Sequence, residues 1–280
     1  MRATPQNIQT VAADLDHPEG LNFGPDGMLY AGGEAGQVYR IDPKTGNVDH
    51  YATAEGFLIL GVTLDGNGNL YGAHVGRQEI VKVTPDGGVS SFSKGAPGHD
   101  LANPNYGVFD TAGNFYYTDS GDYWNPTGTL LVVRPDGTTE FFHAGPLAFP
   151  NGCAIDPAEE YLYIVQSIGP NIARLPLKGG STTAAPEVCI ELPDMVPDGI
   201  AFDDRGRLVI SCYRPDHILL GEVSGAWEVL VEDPSAELMN RPTNVALRDG
   251  KVYFANLGGW HLGAFDFDAG PAPLRYPKVE

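Results

Sequence analysis

A repeat restricts this chain more than any other feature of its sequence. Six times, a turn-like motif precedes a β-like run, a short polar turn and a second β-like run. The copies are HPEGLNFGPDGMLYAGG from His17, LILGVTLDGNGNLYGAH from Leu58, NPNYGVFDTAGNFYYTDS from Asn103, FPNGCAIDPAEEYLYIVQS from Phe149, VPDGIAFDDRGRLVISC from Val196 and RPTNVALRDGKVYFANLGG from Arg241. Aligned on Glu19, Leu60, Asn105, Asn151, Asp198 and Asn244, successive copies lie 41, 45, 46, 47 and 46 residues apart.

The first five copies continue into two further runs, such as QVYRID with VDHYA and EIVKVT with VSSFS. Two-residue alternation and β-branched or aromatic content read these as strands. Asp-Gly and Gly-Asn pairs supply the hairpin turns. Each unit is therefore a four-stranded antiparallel sheet. The sixth unit stops at GAFDF, one strand short, and the unassigned run NIQTVAADL ahead of Glu19 is expected to complete it. Six such units predict an all-β, six-bladed β-propeller, with residues 1–280 forming one domain and the strand near Ile8 to Ala13 closing the ring. The Gly-His and Trp-Asp marks of one propeller class are missing, and the Gly-Gly pairs fall at irregular places, against a kelch pattern.

Charge narrows the partners. The formal net charge is −19, so nucleic acid phosphates and anionic membranes repel the chain, whereas a divalent cation and a small-molecule substrate suit it. No run reaches the roughly 18 apolar residues of a membrane span. The opening MRATPQNIQT lacks the apolar stretch of a leader. The cysteines, Cys153, Cys189 and Cys212, are odd in number and include no Cys-x-x-Cys, so reduced thiols and a cytoplasmic location are expected. Oligomeric state has no sequence signal.

In a propeller the first strand of each unit lines the central channel, and the residue just ahead of it lies at one mouth. The aligned positions therefore converge on the axis, and five of the six carry side-chain oxygens. Asx capping of each strand accounts for one or two of them. It does not account for a Glu, nor for oxygens gathering where Leu60 shows that an apolar residue also fits. Two carboxylates facing one axis repel unless a cation sits between them. Glu19 and Asp198 supply negative charge, and Asn105 and Asn151 neutral carbonyl oxygens. This all-oxygen set suits calcium first, with magnesium, manganese or zinc as alternatives.

HPEG, PNYGVFD, FPNGCAID and VPDGIAFDDRGRL resemble, in order and over essentially the whole chain, the propeller family of senescence marker protein, gluconolactonase and luciferin-regenerating enzyme. The resemblance implies metal ligands at Glu19, Asn151 and Asp198, with Asn105 at or next to the ion. It implies a metal-dependent lactonase or esterase, with phosphotriesterases among the relatives. The run DLANPN lacks the Arg that sugar-lactonase members carry before this Asn, which points away from sugar-acid lactones.

Three other motifs are set aside. DGNGNL from Asp65 begins like a calcium-binding EF-hand but has Leu70 where Gly is required, so it reads as a hairpin turn. Ser91 to Lys94 matches Ser-x-x-Lys without its companion motifs, and no Gly-x-Ser-x-Gly occurs. His17 either orients Glu19 or is a turn histidine. The loops after each second strand open on the metal face and carry His74, Asp122, Tyr123, Trp124, Ser167, Tyr213, Trp260 and His261. With Asn244 they are the expected pocket wall.

The leading expectation is a hydrolase that opens a cyclic ester, with Asp198 taking the proton of the attacking water and Asn105 helping to hold ion and substrate. The alternatives are a phosphotriesterase-type hydrolase and a non-catalytic propeller with a structural ion. Strictosidine-synthase-like condensation shares the fold class but has no particular motif here.

Overall fold

The computed structural model describes residues 5–178 and 183–279. It is a six-bladed β-propeller: six sheets of four antiparallel strands each, arranged in a ring. The innermost strands are Leu21–Phe23, Ile59–Leu64, Pro104–Phe109, Pro150–Ile155, Val196–Phe202 and Pro242–Arg248. Five blades run inner to outer in chain order. The last is completed by the N-terminal strand Gln9–Ala12, which pairs antiparallel with Leu262–Asp266 through Gln9 opposite Ala264 and Ala12 opposite Leu262. The closing strand foreseen from the sequence is therefore present.

Burial along each blade follows the position of the strand. The middle strands Leu29–Gly32, Leu70–His74 and Phe115–Asp119 are buried at every residue, being covered on both faces by neighbouring blades. The outermost strand Val48–Thr53 buries only Ala52 fully. An apolar cluster fills each of the six blade interfaces. At the closure, Phe23 of the first blade meets Tyr253 of the last edge to face at 5.1 Å. Burying one such side chain contributes roughly 1.5–3 kcal/mol, so the ring is held mainly by these wedges of apolar surface.

The Asp65 turn is a hairpin, as expected: Asp65 Oδ1 accepts the backbone N–H groups of Asn67 and Asn69 at 2.9 Å. The three cysteines are free thiols. Among the described residues no helix is long and apolar enough to cross a membrane.

Residues 271–279 form a strap across the end of the channel opposite the aligned Asx and Glu positions. Ala272 N–H donates to Phe202 O at 3.0 Å, and the Tyr276 hydroxyl donates to Phe23 O at 2.8 Å. Arg275 donates to the carbonyls of Ile155 and Asp156 at 3.3 and 2.6 Å and pairs with Glu159. Gly66 N–H donates to Pro277 O at 2.8 Å. The strap thus ties blades 5, 4, 1 and 2 together and covers a mostly apolar cavity of about 100 Å³.

Candidate metal centre

The aligned residues stand where the inner strands are irregular. The pairing between first and second strands shifts register between Pro104 and Gly107, Pro150 and Cys153, Pro197 and Ile200, and Pro242 and Val245. A bulge leaves a residue out of the ladder and re-aims its side chain, and Pro is tolerated at such a place because no ladder hydrogen bond is lost. Asn105, Asn151, Asp198 and Asn244 therefore lie within the first strands, in their bulges, and not just ahead of them as expected. Only Glu19 precedes its strand.

Close packing around the axis holds these bulges. A Cβ on Gly152 would fall 2.7 Å from the Asp198 carbonyl oxygen, and one on Gly199 would fall 2.6 Å from that of Thr243. Glycine after Glu19, Asn151 and Asp198 lets the next inner strand approach there. Hydroxyl groups then fix the neighbouring carbonyls. Thr118 and Ser120 donate to Asn151 O and Pro150 O at 2.8 and 2.7 Å, and Ser167 donates to Pro197 O at 2.7 Å. Ser211 donates to Thr243 O, and Thr243 to Glu19 O at 2.6 Å. This belt runs from the third blade to the sixth and reaches across the closure to the first. Nothing in the sequence reading singled it out, although Thr118 and Ser211 share one offset from their aligned residues.

Glu19, Asn105, Asn151, Asp198 and Asn244 are all buried. Asn244 donates its side-chain amide to Glu19 Oε2 at 3.3 Å, and Asn151 donates its own to the Ser167 hydroxyl at 3.2 Å. In Asn151 this contact occupies the carboxamide nitrogen and leaves its oxygen free. Asn105 Oδ1, Asn151 Oδ1 and Asp198 Oδ1 have no hydrogen-bond partner although each is sealed from solvent. Leaving such an atom unmatched costs about 1–3 kcal/mol, and three occur at one end of one channel.

The electrostatics agree. Burial raises the Glu19 carboxyl well above the usual range, the negative charge of Asp198 raises it further, and the hydrogen bond from Asn244 opposes the rise. Burial pushes Asp198 up to about 7, with Asn151 pulling the other way. Two buried carboxylates and two carboxamide oxygens, with no basic side chain bonded to them, fit a hard divalent cation.

The expected pocket wall divides in two. The pairing of Pro104 with Asp119, Pro150 with Gln166 and Pro242 with Asn256 places the loops after each second strand on the face of Glu19 and Asp198. On those loops Trp124 and Trp260 are 84% and 59% exposed, and Tyr123 packs on Phe149 at 5.2 Å. Tyr213 lies inside the strand Leu208–Arg214 and not on a loop as expected; it is partly exposed, with the Arg241 guanidinium 5.6 Å from its ring centre. The histidines support the wall from behind. His74 is fully buried, its ring nitrogens facing Ala54 O at 2.9 Å and Arg77 N–H at 3.3 Å. His261 bonds Leu238 O at 2.9 Å. Ser167 belongs to the hydroxyl belt, and Asp122 caps its own loop through Trp124 and Asn125 N–H.

Comparison with known proteins gives concordant results. The chain is 24% identical over 218 residues to "Lactonase drp35" of Staphylococcus aureus, a match covering 72% of this chain and 65% of the relative's length. Its backbone superposes on a gluconolactonase from Xanthomonas campestris with a TM-score of 0.79 and 21% identity, covering 92% of this chain and 89% of the other. A calcium-binding regucalcin from Agrobacterium tumefaciens gives a TM-score of 0.75 and 14% identity, with 97% and 98% covered. The strictosidine synthase-like N-terminal model matches residues 6–41, a likeness that the sequence reading did not find. The model of the SMP-30/gluconolactonase/LRE-like region matches residues 89–252, more than half of the chain. With six blades, an inward set of Glu, Asn and Asp oxygens and that match, the chain belongs to the SMP-30/gluconolactonase/LRE-like family.

Proposed function

We propose that the protein is a metal-dependent hydrolase that opens a cyclic ester, a lactonase. The observation that carries this reading is the set of three sealed, unpartnered oxygens on Asn105, Asn151 and Asp198 beside the buried carboxylate of Glu19. Lactonase and gluconolactonase relatives support the reaction class. The calcium-binding neighbour supports calcium as the first ion to test.

Glu19, Asn151 and Asp198 would hold the ion, with Asn105 beside them. A divalent ion bound there supplies a Lewis acid for the ester carbonyl oxygen. Asp198 takes the proton of the attacking water as the new carbon–oxygen bond forms. It returns that proton to the ring oxygen as the ring bond breaks, so the product is a hydroxy acid. Asn244 keeps Glu19 oriented. The exposed Trp124 and Trp260 favour uncharged or aromatic lactones over acidic ones.

The test is a panel of lactones, aryl esters and organophosphates, run with the calcium-loaded chain and with a chelated control. Lactone turnover lost on chelation and restored by the ion is the expected result. Turnover confined to organophosphates would move the assignment to a phosphotriesterase. No turnover of any class would leave a binding scaffold.

A further inference from the structure

We propose a second cation site, separate from the channel, formed by Asp16, His17 and Glu34 on the rim of the same face and suited to a divalent transition ion. Among the described residues this is the one group of three or more His, Cys, Asp or Glu side chains whose ligand atoms all lie within 4.8 Å of one another. His17 Nδ1 is 2.9 Å from Asp16 Oδ1 and 2.8 Å from Glu34 Oε2. All three side chains are partly exposed, so the cluster is reachable from solvent.

Two features separate this cluster from a chance ion pair. Its ligand-bearing segments are fastened to each other: Glu34 N–H donates to Asp16 O at 3.1 Å, and Leu58 N–H donates to Glu34 O at 2.6 Å. Two of the three ligands, Asp16 and His17, also have an outer support. Gln37 Nε2 holds the second oxygen of Asp16 at 2.8 Å, and the Trp260 ring packs on the His17 ring at 5.3 Å. Such outer partners set ring orientation and ligand direction in metal sites.

The donor chemistry selects the ion. A single N–H lying between two carboxylates points fully at neither. A cation in the proton's place would be met by all three donors, with two negative charges to balance its own. One imidazole nitrogen and two carboxylate oxygens suit zinc, cobalt or manganese, in contrast with the all-oxygen set of the channel. Ligands at about 2.0–2.2 Å from a tetrahedral ion lie roughly 3.3 Å apart. The cluster would therefore open by about 0.4 Å on loading, which partly exposed side chains allow. An ion there would pin the Asp16–Gly20 turn to the Glu34 loop, and that turn carries Glu19. The rim ion would thus position a channel ligand without taking part in the chemistry.

The experiment uses Co²⁺ alone, with equilibrium dialysis to count ions and visible absorption to report an imidazole-containing site. It is run on a chain carrying Glu19→Gln and Asp198→Asn, which removes the charge of the channel site. One equivalent of Co²⁺ should remain bound with its absorption band. Adding His17→Phe, which keeps a ring against Trp260, should weaken it at least tenfold. Absence of stoichiometric binding, or equal affinity with His17→Phe, would overturn the proposal and leave a hydrogen-bonded ion-pair cluster. If the channel double variant fails to fold, the count is made on the otherwise unaltered chain. His17→Phe should then bind one ion fewer than its parent, and an unchanged count overturns the proposal. The result does not depend on the channel reading, whose failure would show as no ion lost on Glu19→Gln.

Discussion

Asn244, on the last blade, donates its side-chain amide to Oε2 of Glu19, on the first, at 3.3 Å. The two residues are far apart in the chain, so the ring closes at the candidate centre itself. The contact also opposes the rise in the Glu19 pKa caused by burial and by Asp198. Asn244→Ala should weaken calcium binding by about tenfold, the scale of losing an outer support. Glu19→Gln removes a charge and should cost clearly more. Calorimetric titration of both variants checks this order, and an equal loss would argue against Glu19 as a ligand.

Stability of the metal-free chain should fall as pH rises. Glu19 and Asp198 have pKa values raised by burial above those of the unfolded chain, near 4. Between about pH 4 and pH 7 the folded chain therefore holds more protons than the unfolded one. The stabilising contribution of Asp198 is complete below about pH 4 and is lost as pH rises through about 7, and that of Glu19 is lost in the same direction. Carboxylates with lowered values, such as Asp16 and Asp233, act in the opposite sense and only in more acid solution. Melting temperature in chelator should drop from about pH 5 to about pH 8, and saturating calcium should reverse the drop. A drop of equal size in the Glu19→Gln, Asp198→Asn chain would assign it to other groups.

Gly199→Ala places a methyl group 2.6 Å from the Thr243 carbonyl oxygen, and Gly152→Ala one 2.7 Å from that of Asp198. Overpacking of this kind costs about 1–3 kcal/mol. Each variant should unfold at lower denaturant and bind calcium less tightly, because the inner strands are forced apart where the ligands stand. Unchanged denaturation midpoints would show that the inner strands give way without cost.

Removing residues 1–12 deletes the strand Gln9–Ala12 and exposes the edge formed by Leu262–Asp266. An open edge also invites association. A marked fall in melting temperature and a tendency to self-associate are expected by calorimetry and light scattering. The intact chain should unfold in a single transition, as the expectation of one domain requires. An unaltered melting temperature after deletion would contradict a structural role for the closure.

The blades were legible because each must bury an inner strand against its neighbours, and the turn feeding that strand recurs at nearly constant spacing. The convergence of Glu19, Asn151 and Asp198 followed from the same alignment. The bulges were not legible, since a register shift depends on pairing geometry and leaves the hydrophobic alternation largely intact. The belt of Thr118, Ser167 and Ser211 was hidden because hydroxyl residues within strands also serve β propensity. The strap around Arg275 and Tyr276 makes its contacts to backbone carbonyls of distant turns, which no periodicity records. His74 was expected on a mouth loop, but it ends the second strand of its blade and its ring bonds the Ala54 carbonyl. The Asp16, His17 and Glu34 cluster needed two separate loops brought together by the first blade.

The central claim is that Asp198 belongs both to the ion and to the chemistry. The direct measurement is lactone turnover by Asp198→Asn at calcium concentrations shown by titration to saturate it. The substitution keeps an oxygen donor and removes the base. Turnover lowered by about 10²–10⁴, with the ion still bound, is the predicted result. Turnover equal to that of the unaltered chain under the same saturation would contradict the account.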